Sequence, residues 1–423
     1  MVEDNKVYKS GSFQEFTFWV KRKMGVKLDR IFDAVSNNNL FANKLVLQSN
    51  YTPETIPHRD KQIEQMASIL APSLRGERTS NLFVYGQTGT GKTISVQYVR
   101  DELLKRAKSS DKTLRIEYVN CKLKKVADTE YRILAELIKK FGGEVPSTGL
   151  PTGQVYNKFI ELIEKDKQLL ILIFDEIDQA VKKISDNFLY NLTRLNSELA
   201  RTQISLVGIS NDLKFLDSLD PRVRSSLGEE EIVFPPYNAL QLQDILKTRA
   251  EQAFKKDVLE EGVIAKCAAF AAREHGDARR ALDLLRIAGE LAEREGNSKI
   301  ELKHIDGANE KIDRDKIIDT IENAPKQFQL TLLSIINLTE RNSGKIFTGD
   351  VYNVYQELCR KSRTEILTQR RVSDLIGEFD MLGIINARVV SKGRHGRTRE
   401  IKLAIPTPVL EKSKTLLRES LDL

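Results

Sequence analysis

The chain has 423 residues, 40% hydrophobic and 30% charged, which fits a soluble globular protein of two or three domains. No apolar run approaches the roughly 18 residues that span a bilayer, so no membrane partner is expected, and the N-terminal MVEDNKVYKSGSFQEF lacks a secretory core, which makes the cytoplasm the expected compartment. Net charge is +7, unevenly placed: residues 325–423 hold 17 Lys+Arg against 11 Asp+Glu, and residues 1–324 hold 50 against 49, which predicts a C-terminal module facing a polyanion. Cys121, Cys267 and Cys359 lie far apart and the four histidines do not cluster with them, so a structural zinc site is not expected.

Taken in chain order, the first strong signal is Leu82-Phe83-Val84-Tyr85, an apolar run that predicts a buried strand. GQTGTGKT follows, and then Ile94 to Leu104 with apolar residues at helical spacing. A strand, a glycine loop of the form G-x-x-x-x-G-K-[ST] and a helix N-terminus make an anion site. Gly86, Gln87, Thr88, Gly89, Thr90, Gly91, Lys92, Thr93 and Ile94 are its expected nucleotide-binding residues. Backbone N–H groups face the phosphates, Lys92 reaches the outer ones, and Thr93 can hold Mg²⁺. These residues predict a nucleoside triphosphate, ATP or its product ADP, as cofactor.

A second strand is expected over Thr113–Asn120 and a helix over Thr129–Phe141, while Gly142–Gly153 reads as loop from its Gly and Pro content. The continuous apolar run Leu169–Phe174 predicts a strand buried on both faces, ending in Asp175-Glu176. Carboxylates at that end lie where an open α/β sheet places ligand chemistry. Asp175 would hold Mg²⁺ as the second partner to Thr93, and Glu176 would orient and deprotonate the attacking water. The strand Ile204–Ser210 ends in Asn211, an amide able to position that water or the γ-phosphate, or an ordinary turn residue.

This order of elements resembles the AAA+ ATPases, with Asn211 matching their first sensor. Arg222 and Arg224 in LDPRVRSSL occupy the stretch that carries the arginine finger of that superfamily; Arg222 is the candidate carried forward, and a solvated surface role is the bland alternative. Pro235-Pro236 break the chain and helical patterns follow to about residue 310. GDARRALDLLR reads as a helix start with Asp277 near the N-cap. The G-D-A-R motif resembles the second sensor of AAA+ lids, which implies Arg279 on the γ-phosphate and leaves Arg280 facing solvent. The same resemblance places Tyr51, His58 and Arg59 by the adenine and adds Tyr237 to the nucleotide-binding set; for His58 on its own a bland surface role is the better reading.

From about residue 325 three helical patterns precede a strand pair. The third, Thr368–Leu382, has Val372, Leu375, Ile376 and Phe379 on one face, with Thr368, Gln369, Arg370, Arg371 and Ser373 at its start or opposite face. That suits a recognition helix whose first residues enter a major groove, with Gly383 as its C′ stop. Ile384–Val390 and Ile401–Ala404 read as strands around SKGRHGRTRE, a loop carrying Lys392, Arg394, Arg397 and Arg399. A basic hairpin beside a recognition helix reads as a winged helix, with the wing on phosphates or in the minor groove and the helix start on bases. A solvated charged loop is the bland alternative.

The fold expected is therefore α/β: an AAA+ P-loop core of parallel sheet and flanking helices over 1–234, an all-α lid over 235–315, and a winged-helix domain over 316–423. No function is assigned to residues 1–45. YTPETIPHRD, GQTGTGKT, YRILAEL, IFDEID, SNDL, LDPRVRSSL, GDARRALDLL and the C-terminal TQRRVSDLIGEFDMLGIINARVVSKGRHGRTREIKLA together resemble the archaeal origin-recognition replication initiators, relatives of the eukaryotic origin-recognition complex. The resemblance implies slow, switch-like ATP hydrolysis, binding and distortion of double-stranded origin DNA, recruitment of the replicative helicase, and related initiator protomers as neighbours on DNA. It also implies a helical insertion that touches DNA, to which Lys122, Lys124, Lys125 or the Pro146–Pro151 loop could belong. A clamp-loader subunit fits less well, since neither its S-R-C motif nor its helical collar is present. An ATP-regulated winged-helix transcription factor is the alternative that the residues alone leave open.

Overall fold

The apolar run at Leu82–Tyr85 becomes β1 (Asn81–Tyr85), buried along its whole length in the computed structural model, which describes residues 39–49, 51–109, 113–122, 129–146, 149–341, 344–391 and 397–423. Four more strands follow in this part of the chain: β2 (Leu114–Asn120), β3 (Gln168–Asp175), β4 (Thr202–Ser210) and β5 (Glu229–Val233). They form one sheet in the order β2-β3-β4-β1-β5 with every pairing parallel. Side chains alternate between its faces. Leu82, Val84, Ile171, Ile173, Val207 and Ile209 join the helices Asp60–Leu70 and Lys92–Ala107 on one side. Phe83, Tyr85, Leu170, Leu172, Phe174, Ile204 and Leu206 join the helices Glu130–Lys140, Thr152–Ile163 and Asn187–Leu195 on the other. Two covered faces explain why β1, β3 and β4 read as near-continuous apolar runs.

The strand order decides where chemistry can gather. β4 lies between β1 and β3, so the residue after β4, Asn211, falls between the loop after β1 and the carboxylates at the end of β3. The expected loop Gly142–Gly153 is shorter than its composition suggests. A helix begins at Thr152, with Pro151 just before it, where its missing N–H is harmless.

Beyond Pro235-Pro236 come the helices Ala239–Ala253, Val263–Arg273 and Ala278–Glu295. A capping box starts the first: the Asn238 side chain accepts from Gln241 N and the Gln241 side chain accepts from Asn238 N. The N-terminal segment packs on this helical layer. Ala42 N donates to Ala253 O at 2.8 Å, the Phe41 and Phe254 rings stack at 4.8 Å, and Lys44 pairs with Glu290 at 2.8 Å.

The chain forms two compact units, the first ending at Ile305 and the second running from Asp306 to Leu423. The expected boundary at 315/316 falls inside the helix Leu302–Glu322. In the second unit the helices Lys326–Arg341, Thr348–Lys361 and Gln369–Met381 surround a core containing Leu333, Val351, Tyr355 and Phe379. β6 (Ile346–Phe347), β7 (Ile385–Ser391) and β8 (Arg397–Leu403) make an antiparallel sheet in the order β6-β8-β7. Where two strands are expected there are three, because Ile346-Phe347 pair with Ile401-Glu400. A last helix, Thr407–Leu421, packs on Lys326–Arg341.

Candidate functional site

At the C-terminal ends of β1, β2 and β3, and under the start of the helix Ala278–Glu295, lies a cavity of about 750 Å³. Tyr51, Thr88, Gly89, Thr90, Gly91, Lys92, Thr93, Ile94, Asp175, Glu176, Asn211, Tyr237 and Arg279, all expected site residues, line it together. Residues from five connecting segments, the end of β3 and two helices converge there, and the parallel sheet contributes by delivering its strand ends to one edge.

Lys92 is buried beneath the loop, and its ammonium donates to Gly86 O at 2.7 Å, Gln87 O at 2.8 Å and Asn211 Oδ1 at 2.9 Å. Burial pushes it down to about 8, a shift that Asp175 opposes and Arg279 reinforces. The loop is tight for two reasons. A Cβ at Gly89, where φ is +73°, would stand 1.7 Å from Asp277 Oδ1, and one at Gly91, where φ is +89°, would stand 2.8 Å from the Tyr237 hydroxyl. Thr93 Oγ1 donates to Asp175 Oδ2 at 3.0 Å. A hydroxyl and a carboxylate side by side are the hard oxygen donors that Mg²⁺ takes, so the residues present fit that ion.

Asp175 is held on both oxygens. Tyr118 Oη donates to Oδ2 at 2.6 Å, and Glu176 N donates to Oδ1 at 3.0 Å. Burial, and then the bond to Asp175, push the Tyr118 phenol up, so it stays a donor. Glu176 adopts φ 55° and ψ 44°, a left-handed conformation uncommon for a residue with a side chain, and its carboxylate pairs with Lys122 at 3.4 Å.

The lid meets the loop directly. Ala278 N donates to Gly89 O at 3.2 Å, and Asp277 caps its helix by accepting from Arg279 N at 2.7 Å. Arg279 is exposed at the cavity and makes no side-chain hydrogen bond or ion pair among the described residues. Arg280 does not face solvent as expected: its side chain is 11% exposed and pairs with Glu274 at 3.0 Å.

Two expected adenine residues lie elsewhere. Arg59 is fully buried and donates to Thr90 O at 2.8 Å, His58 O at 3.3 Å and Pro235 O at 2.6 Å, with its guanidinium 3.8 Å from the Tyr237 ring centroid. Its donors hold protein carbonyls, so it braces the loop. His58 pairs with Asp244 at 3.1 Å. Neither lines the cavity, and Gly86 and Gln87 support it only through their carbonyls. Arg222 also lies off the cavity, on the helix Pro221–Leu227, 84% exposed and paired with Asp220; Arg224 pairs with Asp217.

The cavity includes residues that sequence reasoning missed. Tyr118 and Asn120 sit two apart on β2, and strand alternation near a ligand edge could have found them. Lys122 follows that strand. Arg249, whose guanidinium lies 4.6 Å from the Tyr51 ring centroid, and Leu282 carry no local signal because lid helices bring them in.

In the second unit Val372, Leu375, Ile376 and Phe379 are buried, which turns Gln369, Arg370 and Arg371 outward at the exposed first turn. Each large apolar side chain buried there contributes roughly 1.5–3 kcal/mol, enough to fix the helix rotation. Thr368 is the N-cap, accepting from Arg371 N at 3.4 Å. Arg399 is not in a flexible loop. β8 begins at Arg397, and Arg399 Nη1 donates to Ser373 O at 2.6 Å. Lys392 and Arg394 lie outside the described residues, as do Lys124 and Lys125, and of Arg397 only the backbone is described.

Three family models match: an AAA domain over residues 75–216, the Cdc6 AAA+ ATPase-type lid domain over 243–310, and the CDC6 C-terminal winged helix domain over 319–413. The chain is 54% identical over 385 residues to the ORC1-type DNA replication protein of Pyrococcus furiosus, covering 90% of this chain and 91% of that one. It is 50% identical over 395 residues to ORC1-type DNA replication protein 1 of Methanosarcina mazei, covering 93% and 94%. Among solved structures, the Aeropyrum pernix ORC1 protein in complex with DNA aligns with a TM-score of 0.76 at 44% identity, over 90% of this chain and 97% of that one. A parallel AAA+ sheet, a Cdc6-type lid set against its phosphate loop and a C-terminal winged helix thus occur here in one chain that belongs to the ORC1-type DNA replication proteins.

Proposed function

We propose that the chain is an ATP-dependent DNA replication initiator that binds origin repeats through its winged helix and uses ATP binding and slow hydrolysis as a switch. The observation that carries this reading is the convergence of Lys92, Thr93, Asp175, Glu176, Asn211 and Arg279 on one cavity, within a chain whose recognition-helix start is exposed. The relative of known structure with 44% identity is an ORC1 protein in complex with DNA, which supports double-stranded DNA as partner.

In the cavity the loop amides and Lys92 bind the phosphates, and Tyr51, Ile94 and Tyr237 form the walls that remain for the base and sugar. Thr93 and Asp175 would hold Mg²⁺, which when bound neutralises charge on the phosphate oxygens. Glu176 takes the proton of the attacking water as its oxygen bonds to the γ-phosphorus and the β–γ bridging bond breaks, leaving ADP and phosphate. Asn211 and Arg279 hold the γ-phosphate and its incoming water. Lys92 donates to Asn211 at 2.9 Å, and Glu176 pairs with the exposed Lys122 at 3.4 Å. Arg222, exposed away from its own cavity, serves a neighbouring protomer's nucleotide.

On DNA, Gln369, Arg370 and Arg371 read bases while the basic hairpin holds phosphates. Distortion of the duplex, recruitment of the replicative helicase and a nucleoid-associated cytoplasmic location follow from the same reading. The test is binding to a duplex from the genome's own replication origin and to a scrambled duplex, at fixed salt, with and without ATP and Mg²⁺. A preference well above tenfold supports a sequence-reading initiator. Equal binding would leave the ATPase and reduce the winged helix to a nonspecific grip.

A further inference from the structure

Arg399 stands on β8, opposite Val389 of β7, and its backbone N–H donates to Thr348 Oγ1 at 3.4 Å. Its side chain turns back over the recognition helix Gln369–Met381, where Nη1 donates to Ser373 O at 2.6 Å. Gly377 lies one helical turn further along the same face. A Cβ at Gly377 would stand 3.3 Å from Arg399 Nη1, 3.8 Å from Nη2 and 3.9 Å from Cζ, so the guanidinium packs directly against the bare helix surface there.

Glycine in a helix interior weakens the helix. Gly377 is not among the glycines with positive φ, so no unusual backbone conformation calls for it. The bare surface leaves the guanidinium room beside the helix, with Nη1 committed to the Ser373 carbonyl.

We propose that Arg399 is a positioning residue for DNA recognition, a brace that locks the β7–β8 hairpin onto the recognition helix rather than a phosphate contact. This rests on reading the winged helix as the DNA-binding domain. The helix face opposite the brace is anchored in the core by Val372, Ile376 and Phe379, and the first turn, Gln369 to Arg371, is left exposed. With the hairpin fixed against that helix, base-reading and phosphate-holding groups meet one duplex in register. Without it the hairpin must be ordered at the moment of binding, which weakens binding without removing an ionic contact.

The test uses the full chain, an origin duplex and a scrambled duplex across a range of salt, and amide exchange of Ile385–Ser391 in the DNA-free protein. Three variants separate the roles: Arg399→Met, Arg399→Lys, which keeps the charge, and Gly377→Leu, which keeps the arginine and displaces it. The brace predicts that all three lose about three- to tenfold in affinity for the origin duplex, with an unchanged slope of log affinity against log salt. It also predicts faster amide exchange in the hairpin of all three. A phosphate contact predicts rescue by Arg399→Lys, a slope reduced by about one in Arg399→Met, and no effect of Gly377→Leu; any of these overturns the proposal. If the unaltered protein binds neither duplex, the DNA reading of the domain fails, and unchanged exchange in the variants would then separately remove the brace.

Discussion

Lys92 is buried and already makes three hydrogen bonds inside the protein, whereas Gln369, Arg370 and Arg371 stand in water with no side-chain hydrogen bond among the described residues. The nucleotide cavity is formed in advance. Its lysine is held by two loop carbonyls and Asn211, and its threonine by the Asp175 carboxylate. The helix Gln369–Met381 is fixed through the core and by Arg399, while its first turn stays exposed. A small anionic ligand needs buried donors in fixed positions, while a duplex needs reach and charge.

Four substitutions break or sharpen that contrast. Lys92→Ala should have the largest effect, lowering ATP affinity by about a hundredfold or more through loss of charge-assisted bonds, while binding of the scrambled duplex stays within about twofold; fluorescent-nucleotide and duplex titrations read both. Gly89→Ala drives a methyl group into Asp277 and so should separate the lid start from the loop. We expect about a tenfold loss of nucleotide affinity, seen as a smaller thermal shift at a fixed ATP concentration. Arg371→Ala should leave that thermal shift intact and cost about 1–3 kcal/mol of discrimination between origin and scrambled duplex if it reads a base. Thr368→Ala removes only a cap and should lower stability by about 0.5–1 kcal/mol, measured by urea unfolding of the full chain. A reversed order of the first and third effects on ATP binding would contradict the separation of the two surfaces.

Much of the cavity is legible in the sequence because its signals are local. Gly86 to Thr93 follow a buried strand, and Asp175-Glu176 end another, so loop chemistry and apolar runs point to the same edge. Arg59 is not legible in this way: its three carbonyl partners come from His58, Thr90 and Pro235, and only the folded core brings the last two to it. Arg399 is misplaced for a different reason. Thr398, Arg399 and Glu400 form strand in pairs with Val390, Val389 and Arg388, but the hairpin there runs beyond the packed core and is wet enough to carry polar residues. The apolar pattern therefore starts only at Ile401, four residues after the strand does. Tyr118 and Asn120 lie between these cases, on a strand whose end is legible in the sequence but whose cavity-facing side is not.

The place of β1 in the sheet bears on how the protein is made. Its neighbours are β4 and β5, Leu82 pairs with Val207 and Phe234 N donates to Tyr85 O at 2.7 Å, so the strand that carries the phosphate loop is completed by residues translated long after it. A nascent chain that has exposed Gly86 to Thr93 has the motif without the support beneath it. Thr202 to Phe234 must emerge and pair before β1 has its neighbours and Asn211 reaches Lys92, and long-range parallel pairing of this kind is slow. A ribosome-bound fragment ending before β4 would therefore carry the glycine loop on an unpaired strand.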